Sequence, residues 1–188
     1  GYEVKVLGDA DDGSDATDAV HAKSNAELGT AIENGASTIV LGKGNIKMPS
    51  SSTTSDITLI GTKDTVLDVT KGAYMDSANV TIKGVTIKTS TGYVMDDAGN
   101  TGADYAALYS PNTTYVNCTF DGPMRVGRDG AKFINCTFTN LGNDYVWTYG
   151  NDVTFEGCTF ETAGKAILIY SDGGNEISQV TVKDCTFN

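Results

Sequence analysis

Asn117–Phe120 reads NCTF, Asn135–Phe138 reads NCTF, Gly157–Phe160 reads GCTF and Asp184–Phe187 reads DCTF. A metal-ligand set, a disulfide framework, a run of glycosylation sites or one structural unit used repeatedly would each account for such a recurrence. The flanking residues decide. Ahead of the four stand TTYV, AKFI, VTFE and VTVK, short period-two runs of strand-forming residues. ITLI before Gly61 and VTIK before Gly84 have the same form, and VTI follows Gly84 where CTF follows the others. Aligned on the pivots Gly61, Gly84, Asn117, Asn135, Gly157 and Asp184, the intervals are 23, 33, 18, 22 and 27 residues. A period of roughly 20 to 25 residues with elastic gaps marks a solenoid in which loops vary and strands do not. There is no alternation of strands with helices and no leucine ladder, so the pattern predicts an all-β parallel β-helix of six to seven coils.

The pivots are Gly, Asn and Asp, the residues that tolerate a left-handed backbone at a sharp bend. Alternation on either side then sends every second side chain inward. Val80, Ile82, Val85 and Ile87 face the core, as do Phe155, Cys158 and Phe160, and Val182, Cys185 and Phe187. Thr81, Thr86, Thr119, Thr137 and Thr159 point out. Cys118, Cys136, Cys158 and Cys185 therefore form an interior column of small buried side chains. Register opposes a disulfide framework, because stacked cysteines project in parallel rather than toward each other. It also opposes zinc, because a line of sulfurs is not a tetrahedron. Asn79, Asn112, Asn117 and Asn135 each open a glycosylation triplet, and bend geometry accounts for Asn117 and Asn135 without sugar.

VTIKGVTI, YVNCTF, FINCTF, VTFEGCTF and VTVKDCTF resemble the right-handed parallel β-helix repeats of the pectate-lyase-like superfamily. The opening, AELGTAIENGASTIVLGKGNIKMP followed by DITLIGTKDTVLDV, is similar to the start of such domains: a capping helix, a first TIVL strand, then a coil. The resemblance runs from about Asn25 to Asn188 and implies a right-handed solenoid. That fold hosts lyases, hydrolases, phage tailspikes and adhesins alike, so it leaves function open.

Ser24 or Asn25 caps the one expected helix, over residues 25–34, and Gly35 ends it. The organisation is then residues 1–36 as N-terminal segment and capping helix, and residues 37–188 as β-helix, within one domain. Asp9, Asp11, Asp12, Asp15 and Asp18 supply oxygens near the start, but Gly13 breaks calcium-loop spacing, and the stretch reads as a solvated acidic segment. His21 is expected outside the coils, on the surface. A net charge of −11 argues against nucleic acid and anionic membrane partners. No apolar run approaches the ~18 residues of a membrane span. The usage, rich in Gly, Thr, Ser, Asn and Asp, points to an extracellular or bacterial cell-surface protein. The chain opens on Gly1 without a leader-like segment, and its last coil stops at Asn188 without a cap. The native protein is therefore expected to continue there, or to make an end-to-end contact with another chain.

Chemistry is expected on an outward face. A third strand lies eight to ten residues before each pivot: AALY at 106–109, MRVG at 124–127, VWTY at 146–149 and AILIY at 166–170. With Leu108, Val126 and Thr148 turned in, Tyr109, Arg125, Trp147 and Tyr149 turn out, and Tyr170 follows on the next coil. Both arginines of the chain, Arg125 and Arg128, sit in this strip, bordered by Asp129, Asp144, Asp152 and Asp172. Aromatic rings with neighbouring carboxylates and guanidinium groups suit a polysaccharide or other glycan, and in the resembled family this face often forms the saccharide groove. A purely structural aromatic ladder is the other reading. The insertion at 89–105, with Tyr93, Asp96, Asp97, Asp104 and Tyr105, lies beside the same face and could wall a groove.

The expectation is a carbohydrate-binding or adhesin-type recognition module. A polysaccharide lyase or glycoside hydrolase in the same groove, or a structural spacer, stays open. A lyase would cast Arg125 or Arg128 as base with Asp129 and Asp144 as calcium ligands; a hydrolase would pair Asp129 with Asp152. The lyase and polygalacturonase signature motifs are missing. No cofactor is expected, calcium being the one ion with a conceivable ligand set.

Overall fold

The computed structural model describes residues 19–47, 56–68, 79–89, 111–143, 145–161, 164–171, 173–174 and 176–188. Strand β1 (Val20–Ala22) and helix α1 (Asn25–Glu33) come first. Two strands meeting at a bend then recur: β2 (Thr38–Leu41) with β3 (Gly44–Lys47), β4 (Thr58–Ile60) with β5 (Thr65–Asp68), and β6 (Thr81–Lys83) with β7 (Thr86–Lys88). The next three coils add a third strand. They are β8 (Thr114–Val116), β9 (Thr119–Asp121) and β10 (Met124–Val126); β11 (Lys132–Ile134), β12 (Thr137–Thr139) and β13 (Val146–Thr148); and β14 (Thr154–Glu156), β15 (Thr159–Phe160) and β16 (Ile167–Ile169). The final pair is β17 (Thr181–Lys183) and β18 (Thr186–Phe187).

Each strand pairs in parallel with its counterpart one coil away, giving ladders of eight, seven and three strands. This is the expected right-handed parallel β-helix. Between the opening and closing rungs lie about five turns, slightly fewer than the six to seven coils expected.

Bend chemistry sets the coil. Five of the six pivots, Gly84, Asn117, Asn135, Gly157 and Asp184, have positive φ, between 52° and 72°; Gly61 does not, so the left-handed expectation fails at that bend. A second column of left-handed residues precedes the eight-stranded sheet: Asp56, Asn79, Asn112, Gly130, Asp152 and Gln179. Short amides and carboxylates visit this region because their polar ends bond locally. Asn79 Nδ2, for example, donates to Asp56 Oδ1 at 3.0 Å. All four asparagines of the glycosylation triplets are such bend residues.

Inside, the alternation stacks like on like. Tyr115, Phe133 and Phe155 form one column, with centroids 5.0 and 4.8 Å apart and planes within 9°. Phe120, Phe138 and Phe160 form a second, at 4.9 and 4.6 Å. The columns meet edge-to-face, as at Phe155 and Phe160 with planes 62° apart. Each ring is fully buried, and burial of one such side chain contributes about 1.5–3 kcal/mol. Cys118, Cys136 and Cys158 are buried beside them as free thiols.

In the last rung the expectation of burial fails: Val182 is 43% exposed and Phe187 is 54% exposed. Phe187 keeps its place in the stack, 5.0 Å from Phe160 and 7° from parallel. It is covered on one side only, because β17 and β18 are edge strands.

At the other end α1 covers the first coil with Leu28, Ala31 and Ile32. The Ser24 side chain accepts from the Glu27 backbone N–H at 3.2 Å, capping the N-terminus. Gly35, at φ +73°, and Ala36 close the other end by donating to Ile32 O and Ala31 O. His21 departs from the sequence reading. It lies in β1, paired with Val40 of β2, so it belongs to the coil ladder although its side chain is exposed. The acidic stretch Asp9 to Asp18 and the insertion at 89–105, apart from Thr89, lie outside the described residues.

Candidate functional site

The three-stranded sheet β10–β13–β16 carries the strip singled out from the sequence. Its register sets Met124 beside Val146 and Ile167, Arg125 beside Trp147 and Leu168, and Val126 beside Thr148 and Ile169. Met124, Val126 and Val146 join the hydrophobic core. Because side chains alternate along a strand, Arg125 and Trp147 belong to the opposite, outward face. Tyr149 continues that face after β13, its backbone N–H bonded to Val126 O at 2.9 Å. Thr148 points inward with its hydroxyl buried and without a hydrogen-bond partner.

The outward residues gather into one stack. The Arg125 guanidinium lies 4.4 Å from the centroid of the Trp147 ring and 5.1 Å from that of Tyr149. The two rings are themselves 4.7 Å apart. A guanidinium over two aromatic faces is held by the ring quadrupoles. Trp147 Nε1–H donates to the backbone carbonyl of Tyr170 at 2.7 Å. Tyr149 in turn lies across Gly127: a Cβ there would sit 2.3 Å from the ring carbon Cζ.

This face was expected to be open, and in that respect the expectation is corrected. Arg125 is 2% exposed, Trp147 4% and Tyr149 6%. Part of the reason is internal to the stack, where guanidinium and rings cover one another and the chain at Tyr170 covers the indole. The exposed groups form the rim: Arg128, Asp129 and Tyr170, the last 65% exposed. Asp129 Oδ1 accepts from Asn151 N–H at 2.8 Å, and Asn151 Oδ1 accepts from Ser178 N–H at 2.9 Å. Asp152, the other carboxylate of the hydrolase reading, is an exposed bend residue in the next coil. Tyr109, Asp144 and Asp172 lie outside the described residues.

Gly127, Asn151 and Ser178 were not anticipated. Gly127 is legible afterwards, since it stands two residues after Arg125 as Tyr149 stands two after Trp147, and only one can carry bulk. Nothing in the sequence marks the ladder of Asp129, Asn151 and Ser178 until the register is known. Among the described residues no group of three or more His, Cys, Asp or Glu is placed to hold a metal ion. Nor is any described helix long and apolar enough to cross a membrane.

Residues 124–188 match the family model described as a right handed beta helix region. No curated protein matches the chain. Among solved structures, the chain is similar to a protein from Parabacteroides merdae ATCC 43184 provisionally described as a glycosyl hydrolase. Identity is 12% and the TM-score 0.38, over 90% of this chain and 95% of that one.

Proposed function

We propose that this chain is an extracellular or cell-surface recognition module that binds glycans along the rim of its three-stranded sheet, in the manner of an adhesin or carbohydrate-binding domain. The observation that carries the reading is Tyr170. Its side chain is 65% exposed, yet its main chain is pinned by the Trp147 indole, which is packed into the Arg125–Tyr149 stack. An exposed ring on a fixed base offers a stacking surface for the C–H face of a pyranose at low entropic cost. Arg128 and Asp129, exposed two coils earlier on the same flank, supply a donor and an acceptor for hydroxyls or carboxylates. The buried stack acts in this reading as a foundation, and the contact surface is the rim.

The test is a screen of neutral and acidic polysaccharides with the intact chain and with Tyr170→Ala. Because Tyr170 is exposed, the substitution should leave the unfolding free energy within the range of a surface change, about ±0.5 kcal/mol. Glycan binding should weaken about tenfold, the equivalent of about 1.4 kcal/mol. Binding unchanged in Tyr170→Ala, or no glycan bound at all, overturns the proposal. Release of reducing ends or unsaturated products from a bound polysaccharide would move the same rim to the lyase or hydrolase class.

A further inference from the structure

Asn34–Gly35 is the one place in the chain where an asparagine precedes a glycine. The pair closes α1. Asn34 is its C-cap, with φ −79° and ψ 2°, and Gly35 follows at φ +73°. Both residues are exposed, and Asn34 stands on the rim of a groove that opens to solvent between α1 and β1, beside Val20, His21 and Thr30. A Cβ built on Gly35 would meet no atom within 4 Å. The Asn34 carboxamide and the Gly35 nitrogen are therefore adjacent with no bulk around them, and asparagine is among the thermolabile residues. The bend asparagines differ. Asn79, Asn112, Asn117, Asn135 and Asn140 have positive φ and stand before valine, threonine, cysteine or leucine, whose side chains crowd the following nitrogen.

We propose that Asn34 is a site of spontaneous modification, converted to aspartate and isoaspartate at a rate set by opening of the last turn of α1. The Gly35 nitrogen attacks Asn34 Cγ, and the new C–N bond closes a five-membered succinimide ring. The Cγ–Nδ2 bond breaks, and the proton lost from the Gly35 nitrogen leaves with Nδ2 as ammonia. Water then opens the ring, at Cγ to give aspartate or at the main-chain carbonyl to give isoaspartate. No oxidant or reductant takes part.

The closed cap opposes the first step twice. Gly35 N–H donates to Ile32 O at 2.9 Å, which ties up the attacking nitrogen. The ring also needs that nitrogen eclipsed with Asn34 Cβ, whereas a ψ of 2° eclipses it with the Asn34 nitrogen. Reaction therefore waits for the turn to fray, which helix ends do at small free-energy cost. The turn is lightly held: it has no basic side chain to face the negative end of the helix dipole, and Glu33 stands there instead. The products are held less well still. Aspartate adds a second carboxylate at that end. Isoaspartate lengthens the backbone between the donors Gly35 and Ala36 and their acceptors Ile32 and Ala31. Either change loosens the cover that Leu28, Ala31 and Ile32 give the first coil.

The experiment incubates the intact, folded chain in mildly alkaline buffer. Peptide mapping follows the amide-to-acid mass increase, and electron-transfer fragmentation separates isoaspartate from aspartate. Asn34 should be converted before any other asparagine, and about tenfold faster once urea has unfolded the chain and released the turn. Glu33→Lys places a cation at the negative helix end, so it should slow conversion in the folded chain about two- to fivefold and leave the rate in urea unchanged. Asn34→Gln should stay unmodified and keep the hydrogen-exchange protection of its α1 amides, while the aged intact chain loses protection there. Glu33 and Asn34 are both exposed, so neither substitution endangers the fold. Earlier conversion of a different asparagine, equal rates in the folded and unfolded chain, an unmoved rate in Glu33→Lys, or unchanged α1 exchange after ageing would each overturn the proposal.

Discussion

Phe160 and Phe187 occupy the same place in the same repeat, with rings 5.0 Å apart and nearly parallel, yet one is 0% exposed and the other 54%. Their local sequences, GCTF and DCTF, are almost the same. The difference lies wholly in the neighbours. Phe160 has a ring on each side, Phe138 and Phe187, whereas Phe187 lies in the edge strand β18. In a solenoid, burial belongs to the stack rather than to the residue, and stability is close to a sum of rung and interface terms.

That comparison can be broken most sharply in the middle of the column. Phe155→Ala removes a ring stacked on Phe133 and set edge-on to Phe138 and Phe160, and should cost about 3–5 kcal/mol in urea unfolding. Gly127→Ala tests the outward face instead. The new methyl meets the Tyr149 ring at 2.3 Å, so a loss of about 1–3 kcal/mol is expected, with a change in near-ultraviolet circular dichroism as the Trp147–Tyr149 pair shifts. Asn135→Ala removes the side-chain amide and places an alanine at φ +52°, for about 1–2 kcal/mol. Glycine at the same position should recover most of that. The smallest effect belongs to Phe187→Ala, about 1 kcal/mol or less, because the exposed half of the ring contributes little. A Phe187 loss equal to that of Phe155 would refute the neighbour account.

Much of the fold was legible because its two rules are local. A left-handed bend favours Gly, Asn or Asp, and the positive φ of Gly84, Asn117, Asn135, Gly157 and Asp184 agrees with those identities. Alternation likewise told Cys158 and Phe160 from Thr159. The third sheet was legible to the same depth, since MRV, VWT and ILI are strands and Arg125, Trp147 and Tyr149 do share a face. Their burial was not, because alternation says which way a side chain points and nothing about what lies across from it. That cover depends on residues distant in sequence, such as Tyr170 over Trp147. The entry of β1, with His21, into the ladder was missed for a related reason. Three residues carry too short a period to register, and their pairing is decided by β2.

Trp147 is the sole tryptophan of the chain. With its ring enclosed and its N–H committed to Tyr170, it is a built-in optical gauge of one flank of the rod. Its emission should be blue while that flank stays closed and should shift red when the stack opens to water. One fluorophore can thus report whether the Arg125–Trp147–Tyr149 stack is closed or open.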